Sequence, residues 1–210
     1  MPLYKIITVN KTTSLAIWKV EEPLDKLAEG VELTPHCKNR FKHMKSLLHQ
    51  RAFMSIRKLL AALGYVDHDM YYDDFGKPHL KNGNFISITH SYEFTAIIIS
   101  ETIAVGVDIE KQREKILKIA PKFTPLKEYR TLANDDAVMR KLTIVWGAKE
   151  SLYKIYGVKG LSFLQHIYVN DFDFDNGKTT AVINYQGNES HYTIVFTEFE
   201  GFTCVYALTK

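Results

Sequence analysis

The chain has 210 residues, of which 46% are hydrophobic and 12% aromatic, so it can bury one substantial core or two small ones. A net charge of +3 with a sequence pI near 8.7 is too weakly basic to indicate a nucleic acid partner. The apolar runs are too short to cross a bilayer and the first residues lack the pattern of a secretory signal, so we expect a cytoplasmic protein without a membrane partner.

The first half of the sequence predicts strands around a long helical region. Residues 34–63 predict one long helix or two consecutive ones, because Thr34 is a good N-cap, Pro35 suits the first helical turn and Gly64 suits the end. A turn containing glycine and proline is predicted at residues 73–78. Strands are predicted at residues 3–9, 14–20, 85–89, 94–100 and 103–109.

The second half predicts another long helix followed by strands. Residues 111–132 have a helical pattern that two prolines interrupt, and residues 135–156 form a longer helical pattern that ends before Gly157. Residues 165–208 alternate strand-like runs with turn signals. Those signals are Asn176-Gly177 and Gly187-Asn188. The order of elements predicts an α+β protein with antiparallel sheet.

The strand at residues 103–110, IAVGVDIE, carries the first chemical signal. Since side chains alternate between the two faces of a strand, Asp108 and Glu110 share a face with the small residues Ala104 and Gly106. Adjacent carboxylates repel one another, and a divalent cation such as Mg²⁺ relieves that repulsion. The pattern alone also fits a strand whose last residues emerge into solvent at a turn.

The helix segment WGAKESLYK at residues 146–154 carries the second signal. Lys149 falls in the apolar stripe, so its ammonium must reach the surface or meet an anion. Glu150 and Lys154 are four residues apart, so they can reach one ligand or form an ordinary salt bridge. A glycine inside a helix costs about 1 kcal/mol relative to alanine, so we expect something to approach the backbone at Gly147.

Two further segments offer groups that bind phosphate. In FISITHS at residues 85–91, Ser87 and Thr89 are expected to be exposed hydroxyls on one face, with His90 at the end of the strand. In GKP at residues 76–78, Lys77 lies in a rigid turn. A structural histidine and a solvated lysine are the alternatives for His90 and Lys77.

Together these segments resemble the surfactin-synthetase-type 4′-phosphopantetheinyl transferases, over about residues 40–161. The segments are, in order, GKP at 76–78, SITHS at 87–91, GVDIE at 106–110 and WGAKESLYK at 146–154. The resemblance implies a pseudo-dimer of two similar α+β lobes with antiparallel sheets and the active site in the cleft between them. It implies an N-terminal lobe at residues 1–102 on the 3′-phosphate and adenine side of coenzyme A. A C-terminal lobe at residues 103–210 would hold the metal and dock the carrier protein.

The resemblance also implies roles for single residues. Asp108, Glu110 and Glu150 look like the ligands of Mg²⁺, and Glu150 is also the expected catalytic base. Lys154 and His90 look like catalytic contacts of the coenzyme A diphosphate. The residues that look like contacts of coenzyme A elsewhere are Lys77, Pro78 and Thr89, with Arg57, Lys42 and Lys45 as candidates for the 3′-phosphate.

The implied activity is transfer of 4′-phosphopantetheine from coenzyme A to a serine of an apo acyl or peptidyl carrier protein, with release of 3′,5′-ADP, by a monomer. Two other hypotheses fit the same residues: a Mg²⁺-dependent phosphohydrolase acting on a nucleotide diphosphate, and a non-catalytic module that binds carrier proteins. The excess of basic residues between Lys111 and Arg130 fits a docking patch or a solvated surface. Phe123 stands alone where the family commonly has two consecutive aromatics near the carrier.

Overall fold

The protein is described by a computed structural model that covers residues 3–125, 134–157 and 159–210. The strands are β1 Leu3–Asn10, β2 Thr13–Lys19, β3 Met70–Tyr72, β4 Pro78–Leu80, β5 Phe85–Ser91, β6 Phe94–Ser100, β7 Val105–Lys111, β8 Ile167–Val169, β9 Lys178–Tyr185, β10 Asn188–Phe199 and β11 Phe202–Thr209. The helices are α1 Leu24–Ala28, α2 Pro35–Lys42, α3 Leu47–Ala62, α4 Lys115–Ile119 and α5 Asp135–Tyr156. Helices combined with antiparallel sheets confirm the predicted α+β class.

The chain divides into two compact units, Met1–Ile103 and Ala104–Lys210. In the N-terminal unit, an antiparallel sheet has the strand order β1-β2-β6-β5, and β3 and β4 form a separate hairpin. Helix α3 covers the sheet by burying Ile56, Leu59 and Leu60 against it. A second cluster, which includes Leu27 and Phe53, joins α1 and α2 to α3.

In the C-terminal unit, an antiparallel sheet has the strand order β7-β11-β10-β9-β8. Helix α5 lies across β7 and β11 and buries Ala148 and Leu152 completely. The core on this side also contains Ile194, Val205 and Ala207 from the sheet. Each unit therefore consists of an antiparallel sheet covered by one long helix.

The helix limits follow the capping signals of the sequence. Thr34 caps α2 by accepting a hydrogen bond from the Cys37 N–H at 3.2 Å, as its sequence position predicts. The predicted helix at 135–156 is confirmed at both ends, where Asn134 caps its start and Gly157 follows with φ 69°. The predicted helical region 34–63 forms the two helices α2 and α3. Short elements with weak periodicity, such as α1 and the β3–β4 hairpin, were not predicted.

Among the described residues, no helix has the length and apolar composition that a membrane span requires.

Helix α5 approaches the sheet closely because two glycines leave room for it. A Cβ atom at Gly106 on β7 would lie 2.0 Å from the backbone oxygen of Ser151 on α5. A Cβ atom at Gly147 on α5 would lie 2.7 Å from Cγ2 of Val205 on β11. The expected approach to the backbone at Gly147 is therefore made by the protein's own sheet.

We expect Gly106→Ala to lower the free energy of unfolding by about 3 kcal/mol or more, because the new methyl group collides with backbone that cannot turn aside. Urea unfolding followed by circular dichroism measures this. Gly201→Ala is the matched control in the same unit, since Gly201 has φ 74° and nothing within 4 Å of an added Cβ. That control should lose only about 1–2 kcal/mol of unfolding free energy, because alanine is strained at this φ. Equal losses in the two variants would contradict the close-packing explanation.

Candidate active site

The close contact between α5 and the sheet places Lys154 beside Asp108. The Lys154 Nζ donates to Asp108 Oδ1 at 2.8 Å and to the backbone oxygen of Val107 at 2.8 Å. The Asp108 side chain is 7% exposed, and its Oδ2 atom is fully buried. A buried carboxylate on β7 and a half-buried lysine on α5 thus form an ion pair. The lysine, Lys154, follows Glu150 by four residues on the same helix.

Glu150 lies in the negative field of the other two predicted metal ligands. Burial and the charges of Asp108 and Glu110 together raise the pKa of Glu150 to about 7, against the opposing charge of Lys154. Burial together with the Asp108 charge also raises the pKa of the Cys204 thiol to about 12. Both shifts have the sign expected where negative charge is concentrated away from water.

This donor set suits a hard divalent cation, because carboxylate oxygens are its preferred ligands and because added positive charge would relieve the repulsion at Glu150. Within the part of the chain that the structure describes, no three acidic, histidine or cysteine side chains lie close enough to form a ready metal cluster. The Lys154 contact holds one oxygen of Asp108 in this arrangement. The fit to a metal rests on the chemistry and electrostatics of the three carboxylates.

Lys149, next to Glu150, has a structural role that the sequence did not predict. Its side chain does not reach the surface, because the residue is only 2% exposed. Its Nζ donates to the backbone oxygens of Phe123, Phe163 and Ile167 at 2.5, 2.7 and 2.7 Å. The ammonium satisfies backbone carbonyls of two loop residues and of the first residue of β8.

The N-terminal unit holds the predicted contacts of coenzyme A other than Lys154. His90 is exposed at the end of β5, and its ring stacks on His49 of α3 with 5.6 Å between centroids and 9° between planes. The prediction of exposed hydroxyls is wrong for Ser87 and Thr89, which are 4% and 7% exposed. Their strand is covered on that face, which alternation alone does not reveal. His49 was missed because an exposed residue at a helix start carries no periodic signal.

Arg57 has internal partners that argue against its predicted contact with a phosphate. It is 4% exposed, and its guanidinium donates to Asp67 Oδ1 from Nε and lies 2.8 Å from the same atom through Nη2. Burial alone would raise the pKa of Asp67, but the Thr34 N–H and the Arg57 charge hold it below its ordinary value. The guanidinium therefore neutralises a buried carboxylate that ties α3 to the start of α2.

The other predicted contacts of coenzyme A remain accessible to different degrees. Lys42 at the end of α2 and Lys45 after it are exposed. Lys77 and Pro78 are half-buried in the β3–β4 hairpin.

The segment expected near the carrier protein is only partly described. Phe123 is 1% exposed and packs edge-on against Trp146 with 5.0 Å between ring centroids, so it belongs to the core and not to a docking surface. Lys127 and Arg130, two of the basic residues noted in the sequence, lie outside the described residues.

Comparison with known proteins identifies the family. Residues 104–207 match the 4′-phosphopantetheinyl transferase superfamily. This part of the chain belongs to that superfamily. The matched range contains the three carboxylate residues Asp108, Glu110 and Glu150, and also Lys154.

The chain is also similar to the 4′-phosphopantetheinyl transferase gsp of Aneurinibacillus migulanus. The two sequences are 33% identical over 135 residues, which cover 63% of this chain and 54% of the relative. The chain thus spans about half the length of the relative that it matches.

The raised pKa of Glu150 predicts an unusual dependence of stability on pH. Without metal, Glu150 keeps its proton in the folded protein up to about pH 7. In the unfolded chain its pKa has the ordinary value of 4.5, so the proton is lost at a lower pH. The free energy of unfolding therefore falls as pH rises from about 4.5 to about 7. Glu150→Gln removes this loss, so the variant should be about 1–3 kcal/mol more stable than wild type at pH 8 in EDTA and equally stable near pH 4.5.

Urea unfolding at the two pH values tests this, with Glu101→Gln as a control at an exposed glutamate. Added Mg²⁺ should stabilise the wild type at pH 8 more than the Gln variant, because the variant lacks one carboxylate. A wild type that is more stable than Glu150→Gln at pH 8 in EDTA would show that Glu150 is not held in a repulsive field.

Proposed function

We propose that the protein transfers the 4′-phosphopantetheine group of coenzyme A to a serine of an apo acyl or peptidyl carrier protein and releases 3′,5′-ADP. One observation carries the proposal. The range that matches the superfamily contains the residues that β7 and α5 bring together, namely Asp108, Glu150 and Lys154. We further propose that the protein acts as a cytoplasmic monomer.

Asp108, Glu110 and Glu150 are proposed to hold Mg²⁺. When bound, the ion supplies positive charge to the diphosphate oxygens, whose negative charge shifts toward the leaving group during transfer. The buried position of Asp108 suits this role, because a carboxylate out of water interacts strongly with a cation.

Glu150 is the proposed base. The serine oxygen of the carrier forms a bond to the phosphorus that bears pantetheine, and the bond from that phosphorus to the oxygen bridging to ADP breaks. The serine proton passes to Glu150 directly or through water. The pKa of about 7 belongs to the site without Mg²⁺, and a bound cation would lower it, so that Glu150 is ionised at neutral pH and able to accept a proton.

Lys154 and His90 are proposed to stabilise phosphoryl oxygens and the departing 3′,5′-ADP. Lys154 points its ammonium to the carboxylate side of α5, as its bond to Asp108 shows, and His90 presents an exposed ring. Lys77, Pro78, Thr89, Lys42 and Lys45 are proposed contacts of coenzyme A elsewhere, with Thr89 requiring access to a buried hydroxyl.

The test is incubation with an apo carrier protein, coenzyme A and Mg²⁺, followed by the intact mass of the carrier. We expect one phosphopantetheine group to be added per carrier and none to be added when the acceptor serine is replaced by alanine. Consumption of coenzyme A without a carrier would favour a phosphohydrolase instead. Tight binding of several carriers without transfer would favour a non-catalytic module.

Glu150→Gln should lower turnover by about a hundredfold or more while retaining much of the affinity for coenzyme A, because the amide cannot accept the serine proton. Rates at saturating coenzyme A, with the exposed control Glu101→Gln measured in parallel, provide the measurement. Turnover of Glu150→Gln within about tenfold of wild type would remove Glu150 from the role of base.

A further inference from the structure

The turn between β3 and β4 is built around the side chain of Asp73. Its Oδ1 atom accepts hydrogen bonds from the backbone N–H groups of Phe75 and Lys77, both at 2.9 Å. The backbone closes the same turn, since the Asp73 N–H donates to the Lys77 oxygen at 3.0 Å and the Gly76 N–H donates to the Asp73 oxygen at 2.9 Å. One carboxylate oxygen therefore fixes the backbone on either side of Gly76.

The second carboxylate oxygen of Asp73 is held by His79. The distance from His79 Nε2 to Asp73 Oδ2 is 2.9 Å. The His79 ring in turn stacks on Tyr71, its partner across the hairpin, with 5.2 Å between centroids and 21° between planes. The His79 bond, followed by those from Lys77 and Phe75, lowers the pKa of Asp73, so the carboxylate is ionised at neutral pH. A ring stack between the two strands of the hairpin thus supports the histidine that holds Asp73 in place.

The turn presents groups suited to a nucleotide. Phe75 is 74% exposed, which is unusual for so large an apolar side chain, and it offers a ring face on which a base can stack. Lys77, two residues later, is half-buried and supplies a cation. Burial lowers the pKa of Lys77, and the negative charge of Asp73 opposes that shift. Both groups take their positions from backbone that Asp73 holds.

We propose that Asp73 and His79 are positioning residues that hold Phe75 and Lys77 in place for the nucleotide half of coenzyme A. The proposal rests on the function proposed above for the chain and adds two residues for which the sequence analysis predicted no role. Asp73 and His79 do not contact the ligand themselves. They raise the fraction of molecules in which Phe75 and Lys77 are already placed for binding.

The expected effect follows from that fraction. When only part of the population is competent to bind, the apparent dissociation constant rises in inverse proportion to the competent part. Asp73→Ala removes both backbone contacts and the His79 bond, so it should raise the Kd for 3′,5′-ADP and the KM for coenzyme A by about tenfold. His79→Phe keeps a ring against Tyr71 but loses the bond to Asp73, and it should raise both constants by about threefold.

The experiment combines calorimetric titration of each variant with 3′,5′-ADP and steady-state transfer to an apo carrier protein. Asp74→Ala is the matched control, because Asp74 is an exposed carboxylate in the same turn and its loss changes the net charge equally. The control should keep the wild-type Kd. Asp73→Asn should recover most of the affinity lost in Asp73→Ala, since its amide oxygen can still accept from the Phe75 and Lys77 N–H groups.

A positioning role requires that kcat at saturating coenzyme A and the KM for the carrier stay at wild-type values in Asp73→Ala. A Kd for 3′,5′-ADP equal to that of wild type would overturn the proposal. So would a fall of kcat and of the unfolding temperature together with a rise of both KM values, which would mark a general loss of structure.

The outcome for the proposed function is read separately. If the wild type transfers nothing but binds 3′,5′-ADP, and Asp73→Ala weakens that binding, the positioning role stands and the transferase function falls. If the wild type does not bind 3′,5′-ADP at all, both proposals are overturned.

Discussion

The distance between helix α5 and its sheet is the constraint on which the candidate site depends. Gly106 and Gly147 have no side chains, and at both positions the space for a Cβ is already filled by the opposing element. Because the helix lies this close, Lys154 reaches both the side chain of Asp108 and the backbone oxygen of Val107. A larger residue at either glycine would push the helix away and break the contact between β7 and α5.

The short distance between α5 and the sheet brings negatively charged side chains together, and their repulsion lowers the stability of the fold. Asp108 and Glu110 raise the pKa of Glu150, and Lys154 opposes them without cancelling the effect of burial. A core selected for stability alone would replace such a group with apolar side chains of similar volume, which often stabilises a protein. Retention of the carboxylates is what a site requires when it gains its favourable interaction only after a cation or a phosphate ligand binds.

Local sequence patterns predicted the main helices and strands and the side chains that share a face of one of them. They did not predict which side chains are buried by segments distant in the sequence. The capping residues gave the limits of α5, and strand alternation placed Asp108 and Glu110 together. Covered hydroxyls, such as that of Thr89, and the ion pair of Arg57 with Asp67 arise from parts of the chain that meet only on folding. The family resemblance supplied residue roles, but it could not reveal which side chains already have internal partners.

Two lysines of α5 show why the spacing of a motif is more informative than its composition. Lys149 and Lys154 are five residues apart, so at 100° per residue their side chains point in widely different directions from the helix axis. Lys149 binds the carbonyl oxygens of Phe123, Phe163 and Ile167, whereas Lys154 binds Asp108. The Lys149 ammonium connects the helix to two loop residues and to the start of β8, whereas Lys154 contacts Asp108, one of the carboxylates that raise the pKa of Glu150. The segment therefore carries its own support, because the residue that anchors the helix directly precedes the proposed base.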